Sequence, residues 1–307
     1  MNDNARTWRP SAERRILVKR ARLRDLARSF MAERGILEVD TPLLQSGPNC
    51  DHGITPFSVG DRFLVTSPEH PLKRLVAAGY GDVYSLSPCF RADECGRRHE
   101  PEFTMLEWYR VDLPVAALAE ECIDCCEALL GTNWPRQRLS YAKAFERQAG
   151  LDPFTCSAAD LRSRLGRQAP EATATRAELL DLALVTLVEP ALGCEGWTLL
   201  TDYPGDQAAQ ATQRFDDQGR LVAERFELYR QGIELANGYQ ECSDVAAIGA
   251  RFDAATCDEH RDEAYLAALA AGLPTCSGVA LGFDRLVMLA TGVEQIDQVK
   301  AFGWKRA

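Results

Sequence analysis

Four groups of residues in this 307-residue chain have the types and spacing to handle charged ligands. The first runs from Phe90 to Arg110. Arg91 ends the polar face of an alternating run, Val83 to Arg91, and opens a loop where Arg97, Arg98 and His99 stand beside Asp93, Glu94, Glu100 and Glu102. On charge content alone this is a solvated hairpin tip; an anion-binding loop is the other reading. Beyond the loop, Glu102 to Tyr109 carries Phe103, Met105, Leu106 and Trp108 on both faces, which suits an interior strand. Glu107 and Tyr109 sit two apart, on one face of it, and a carboxylate there is costly unless paired.

The second group lies in Leu221 to Glu241, where Glu227, Glu234 and Glu241 recur seven apart in two strand-like runs flanking Arg230-Gln231-Gly232. With a turn centred on Arg230-Gln231, Glu227 and Glu234 face each other across the pair, which is destabilising unless a cation lies between them. Mg²⁺, commonly held by one or two carboxylates plus substrate phosphates, suits that place. Glu234 and Glu241 point to opposite faces of an unbroken strand, and Asn237-Gly238 can supply a bulge that brings them together. Exposed strand carboxylates with no ligand are the alternative.

Arg285 is the third. It stands in the first turn of a helix opened by Asp284, where a cation opposes the macrodipole by roughly 0.3 to 1 kcal/mol and calls for an anion. A helix N-terminus with an added guanidinium is a phosphate site; a tolerated surface arginine is the plainer account. Fourth, Ser67-Pro68-Glu69 reads as capping chemistry at a helix start, or as Glu69 held at a sheet edge to receive an amine.

The elements that must position these groups are legible in outline. Ser11 to Arg34 is helical, with Ile16, Leu23, Leu26, Ala27, Phe30 and Met31 on one face and Gly35 as its stop. Its arginines, Arg20 among them, read as a solvated or interface face. A short strand in GILEVDTPLL, a strand–turn–helix from Arg62, and helices over Val115–Leu130 and Tyr141–Gln148 follow. Ala158 to Leu192 is broken helix, and this middle third carries little chemistry. After a strand at 197–201 and the two glutamate-bearing runs, residues 243–271 are helical, and Gly278 and Gly282 bracket a short apolar strand before the Asp284 helix.

Composition narrows the classes. A hydrophobic content of 46% supports a sizeable core, and no run approaches the roughly 18 apolar residues of a membrane span. The N-terminus lacks an apolar signal region, so a cytoplasmic protein is expected. A net charge of -10 argues against a nucleic-acid-coating surface. Of the eleven cysteines, Cys122, Cys125 and Cys126 form one CxxC without a second ligand pair and read as buried thiols; His52, His70, His99 and His260 are scattered. No Ser/His/Asp or Cys/His constellation stands out.

Taken in order, GILEVDTPLL after a long helix, FRADE…RHEPEFTMLEWYR and GVALGFDRLVML resemble motifs 1, 2 and 3 of a class II aminoacyl-tRNA synthetase catalytic domain, and TSPE, EFTMLEWY and ELANGYQE resemble its lysyl branch. Motif 1 begins within the opening residues, leaving no room for an N-terminal anticodon-binding OB-fold domain. The chain is therefore expected to be a single catalytic domain over residues 1–307, similar to the stand-alone lysyl-tRNA synthetase paralogues of the elongation factor P–(R)-β-lysine ligase family. The resemblance implies an α+β fold, an antiparallel six- or seven-stranded sheet flanked by helices, in a homodimer. It implies an ATP-dependent ligase that activates (R)-β-lysine or lysine as an adenylate and passes it to a lysine of elongation factor P. No membrane and no stable nucleic-acid partner are expected. A truncated lysyl-tRNA synthetase charging tRNA, or an inactive ligand-binding regulator, are the rivals.

Residue by residue, the resemblance assigns Arg91 to the α-phosphate and Arg285 to the γ-phosphate of ATP. Asp93, His99 and Glu100 fall in the ATP-contacting loop, Phe103 would stack on adenine, and Glu234, Leu235 and Gly282 line the nucleotide pocket. Glu227 and Glu234 match the Mg²⁺ pair. Ser67, Glu69, Glu107, Tyr109 and Glu241 match positions holding a lysine-like substrate, for which a dibasic molecule needs several buried carboxylates. The family usually has Asn where Glu100 stands, and lysyl synthetases have Glu where Asp93 stands, so altered ATP affinity is expected.

Overall fold

The computed structural model describes residues 8–49, 53–170, 173–254 and 261–307; His52, His260 and the helical reading of 255–260 lie outside the described residues. Helix α1 (Arg14–Glu33) buries Ile16, Leu23, Ala27, Phe30 and Met31 along one stripe and stops at Gly35, whose φ of 69° is left-handed. Strands β1 (Leu37–Glu38), β2 (Leu44–Gln45), β3 (Ser58–Val59) and β4 (Arg62–Leu64) precede helix α2 (Glu69–Ala77) and the hairpin of β5 (Val83–Phe90) and β6 (Glu102–Val111). Helix α3 (Val115–Leu130), β7 (Arg136–Ser140), α4 (Tyr141–Ala149), α5 (Ala158–Leu165) and α6 (Arg176–Ala183) lead to β8 (Trp197–Pro204). The remainder is β9 (Gln213–Phe215), β10 (Leu221–Arg230), β11 (Ile233–Gln240), α7 (Val245–Ala254), α8 (Glu263–Gly272), β12 (Cys276–Gly282) and α9 (Phe283–Thr291).

The main sheet has the order β1-β5-β6-β12-β11-β10-β8-β7, with β9 on β10. The expected six or seven strands become nine. Six form the antiparallel centre, while β1 and β7 join its two edges in parallel. The added strands are two to five residues long, too short to carry a periodic signal.

Alternation on β6 divides the molecule. Leu106 and Trp108 enter the core shared with α1, α3 and α9, whereas Tyr109 packs on the opposite side with Leu72 of α2 and Tyr265 of α8. A third cluster joins α4, α5 and α6 to β8 and β10. Cys122, Cys125 and Cys126 are buried free thiols in the first core. Among the described residues no helix is long and apolar enough to cross a membrane.

Three expectations need correction. The β10–β11 turn centres on Gln231-Gly232, with φ of 54° and 65°, the double positive that a two-residue hairpin of matching twist requires. Glu227 therefore pairs with Asn237 and Glu234 with Tyr229, so the two glutamates are not directly opposed. The bulge is at Leu235 rather than Asn237-Gly238: Leu228 meets Ala236 while Tyr229 meets Glu234, and the extra residue turns Glu234 to the face of Glu227 and Tyr229. Finally, Arg20 is not on a solvated face. Its guanidinium lies 2.5 Å from the buried Asp284 and donates to Thr104 Oγ1 at 2.8 Å; Asp284 also accepts from the Thr104 N–H at 3.1 Å. That pair anchors the start of α9 to β6.

Candidate active site

A cavity of about 800 Å³ runs along the sheet face that carries Phe103, Met105, Glu107 and Tyr109. Register sets its levels. Met105 lies opposite Gly282, Glu107 opposite Ala280, and Tyr109 opposite Gly278; on the other side Asn237 flanks Ala280 and Tyr239 flanks Gly278. At about 3.3 Å per residue, Phe103 and Tyr109 are roughly 20 Å apart along the strand. The cavity thus has two ends with different chemistry.

At the Phe103 end are the guanidiniums. Arg91 stacks over the Phe103 ring at 5.0 Å, donates to the Thr66 carbonyl at 3.3 Å and pairs with Glu94 at 3.1 Å. Arg285 donates to the Glu234 carbonyl at 2.7 Å and its carboxylate at 3.2 Å, and its other terminal nitrogen meets His99 Nε2. The anion that its helix position calls for is thus Glu234. Burial and the Arg285 charge hold the His99 pKa down, leaving a neutral ring beside the guanidinium. A Cβ at Gly282 would stand 3.6 Å from the Arg285 side chain and the Leu235 carbonyl, ordinary contact, and Gly282 lines the cavity with Leu235.

Two loop residues differ from their expected surroundings. Asp93 is exposed and absent from the cavity wall, because the chain turns at 91–94 and presents Glu94 instead. Glu100 lines the cavity, yet Lys300 Nζ takes one oxygen at 2.8 Å and the Trp304 N–H the other at 3.0 Å. Its charge, which would otherwise stand beside phosphates, is compensated by the C-terminal segment.

The Tyr109 end is built of buried carboxylates. Ser67 Oγ accepts from the Glu69 N–H at 3.1 Å and donates to Glu107 Oε2 at 2.6 Å, so it satisfies the first N–H of α2 while it fixes Glu107. Tyr109 OH donates to Glu107 Oε1 at 2.8 Å. Glu107 forms no ion pair among the described residues; burial, then the nearby Glu69, push its pKa up to about 8. Glu241 is raised to about 7 by burial, with Lys73 pulling it down and Glu69 adding to the rise. Gly278 is obligatory here, since a Cβ would lie 2.2 Å from the Tyr109 ring and 2.6 Å from Glu241 Oε1.

Behind the guanidinium end, Glu227 accepts from Arg225 at 2.5 Å and from Tyr229 OH, which also reaches Glu189 at 3.1 Å. Burial and the Glu234 charge raise both Glu227 and Glu189, the latter to about 7. Glu234 reaches the cavity; Glu227 does not line it.

The sequence reading missed Lys73, Gln210 and Glu189, and it gave the middle third no part. Lys73 Nζ lies 2.6 Å from Glu69 and 2.5 Å from Glu241. Burial works to lower its pKa, but Glu241 and Glu69 outweigh that and hold the ammonium well above its ordinary value. Ala177 and Asp181 of α6 close one side of the cavity, and Gln207 donates to Asp181 at 2.6 Å. One signal for Lys73 was present: Glu69, Leu72, Lys73 and Val76 form a helical stripe with a charged i, i+4 pair inside it.

The family model described as tRNA synthetases class II (D, K and N) matches residues 2–306. Relatives named elongation factor P–(R)-beta-lysine ligase include those of Proteus mirabilis, 40% identical over 322 aligned positions, and Salmonella paratyphi A, 41% over 323. In each case 98% of this chain and 98% of the relative are covered. With the family model spanning nearly the whole chain and these relatives aligned end to end, the chain belongs to the class II tRNA synthetase family of the D, K and N type.

Proposed function

We propose that this protein, as a single catalytic domain, activates (R)-β-lysine or lysine with ATP and transfers it to a lysine ε-amine of elongation factor P. The observation that carries the reading is one continuous cavity with guanidiniums at one end and three buried carboxylates, Glu69, Glu107 and Glu241, at the other. A phosphate-bearing nucleotide at the first end and a small molecule with amino groups at the second would together fill it, with the carboxylate of the second directed at the first.

In the first step the substrate carboxylate attacks the α-phosphorus of ATP, the bond to pyrophosphate breaks, and an aminoacyl-adenylate forms. Arg91 would hold the α-phosphate and Arg285 the γ-phosphate, with Phe103 against adenine and His99, Leu235 and Gly282 around the nucleotide. In the second step the acceptor ε-amine, in its neutral form, attacks the mixed anhydride, loses a proton and expels AMP, leaving an amide. No side-chain nucleophile is needed.

Glu234 and Glu227 suit Mg²⁺ as oxygen donors on one face of the β10–β11 pair; among the described residues no third ligand joins them in a metal-holding group, so substrate phosphates would complete the coordination. When bound, the ion supplies charge neutralisation on the phosphates. Glu234 would be the cavity-side ligand, with Arg225 and Tyr229 holding Glu227 behind it. We also assign homodimer formation to the face of α1 and β1, where Val18, Leu26 and Leu37 are exposed.

The test is the mass of purified elongation factor P after incubation with the protein, ATP and each lysine isomer, run beside tRNA. Modified elongation factor P is expected; efficient tRNA charging without protein modification would overturn the reading.

A further inference from the structure

We propose that Lys73 is a positioning residue: by taking one oxygen from Glu69 and one from Glu241, it sets the gap between these carboxylates and so the spacing of the two amino groups the pocket accepts. This deepens the reading of the site as one for a lysine-like substrate, and rests on it.

Lys73 has no solvent exposure, and its Nζ lies 2.6 Å from Glu69 Oε1, 2.5 Å from Glu241 Oε2 and 3.1 Å from Gln210 Oε1. Hydrogen bonds to Glu69 and Gln210 and the ion pair with Glu241 surround the ammonium, which faces these three groups rather than a phosphate or a substrate carboxylate. Gln210 Oε1 is itself fixed by Tyr265 OH at 2.7 Å, and the Tyr109 and Tyr265 rings stand 5.9 and 5.7 Å from Nζ. The group cannot swing away without abandoning every partner.

An ammonium within a pocket for ammonium groups would be self-defeating if it blocked the seats. It does not. Lys73 occupies Oε1 of Glu69 and Oε2 of Glu241, leaving the second oxygen of each. Glu241 Oε1, turned toward Gly278, has no side-chain partner in a residue only 5% exposed that lines the cavity. The two carboxylates come from different elements, Glu69 from α2 and Glu241 from the segment after β11, so their separation depends on whatever joins them. Among the described residues Lys73 is the cation that pairs with both. Without it they would repel, or share a proton at a different separation.

Lys73→Met and Lys73→Gln, which remove the charge while retaining length or hydrogen bonding, test this. Calorimetry with 1,3-diaminopropane, 1,4-diaminobutane and 1,5-diaminopentane reads spacing without the reaction. Pyrophosphate exchange with (R)-β-lysine and lysine reads it within the reaction. In the wild type one diamine length and one lysine isomer are each expected to be preferred at least tenfold. In the variants both preferences fall below threefold, while the KM for ATP stays within twofold. Wild-type indifference to length, or variants that keep the tenfold preference, would overturn the proposal. So would failure of both variants to reach a native near-UV spectrum, which would make the ammonium purely structural. A wild type that discriminates diamines but activates neither isomer would leave the Lys73 assignment standing and remove the reading of function.

Discussion

The two ends of the cavity handle charge in opposite ways. At the guanidinium end, the proposed nucleotide site, Arg91 and Arg285 are partly exposed and paired with Glu94 and Glu234 on the same rim, contacts that water can replace. Such pairs are individually weak, so phosphates can exchange for carboxylates at small cost. At the amine end Glu69, Glu107, Glu241 and Lys73 are buried and held by hydroxyls, an amide and each other. Charges there cannot relax, and removing one leaves its neighbours uncompensated. The first end suits a ligand that comes and goes as an anion; the second suits discrimination.

The largest break should come from Glu107→Gln, which removes a seat that no other carboxylate replaces. Truncating one partner of a buried charge pair costs about 2 to 5 kcal/mol, so kcat/KM for the amino acid should fall on the order of 1,000-fold in pyrophosphate exchange. The KM for ATP should move less than twofold. An equal effect on ATP would mean the two ends are not separate.

Next, Glu234→Gln should lower kcat on the order of 100-fold and raise the Mg²⁺ concentration needed for half-maximal exchange. Wild-type activity would remove the magnesium role. Smaller still is the pH effect. With Glu107 at about 8, the free pocket carries its proton below that pH, whereas a bound ammonium favours the carboxylate. Apparent affinity for the amino acid should therefore rise with pH between 6.5 and 8 by up to about tenfold per unit, and flatten above. Glu107→Gln should abolish the slope above about pH 7, leaving only the contribution of Glu241 below it. Smallest is Arg97→Ala at the exposed rim, where Arg97 meets Glu294 at 2.6 Å with both side chains more than half exposed. It should change exchange rates less than twofold; a tenfold loss would show that the rim of the nucleotide end is not interchangeable with water.

The fold was legible to the extent that periodicity was long enough. The hairpin of β5 and β6, the glutamate-bearing pair β10 and β11, and α3 follow directly from alternation or from a 3.6-residue stripe. Leu235 shows the limit. A bulge was needed to bring Glu234 and Glu241 together, but its place depends on a turn at Gln231-Gly232 that fixes register, and Asn237-Gly238 was the stronger local signal. The short parallel strands β1 and β7 owe their existence to the neighbours they pair with.

By itself the sequence nominated polar residues in and behind the cavity: Arg91, Glu107, Tyr109, Glu227, Glu234, Glu241 and Arg285 stand in motifs whose spacing resembles the synthetases. Local pattern decides which way a side chain faces, and that sufficed to nominate them. Tertiary structure alone decided what each charge meets. Glu100 meets Lys300, distant in sequence, Arg20 meets Asp284, and Lys73, next to Arg74 in α2, joins Glu69 to Glu241. A charge partner across the chain has no periodicity to announce it, because only the packing of separate elements brings the two groups within reach.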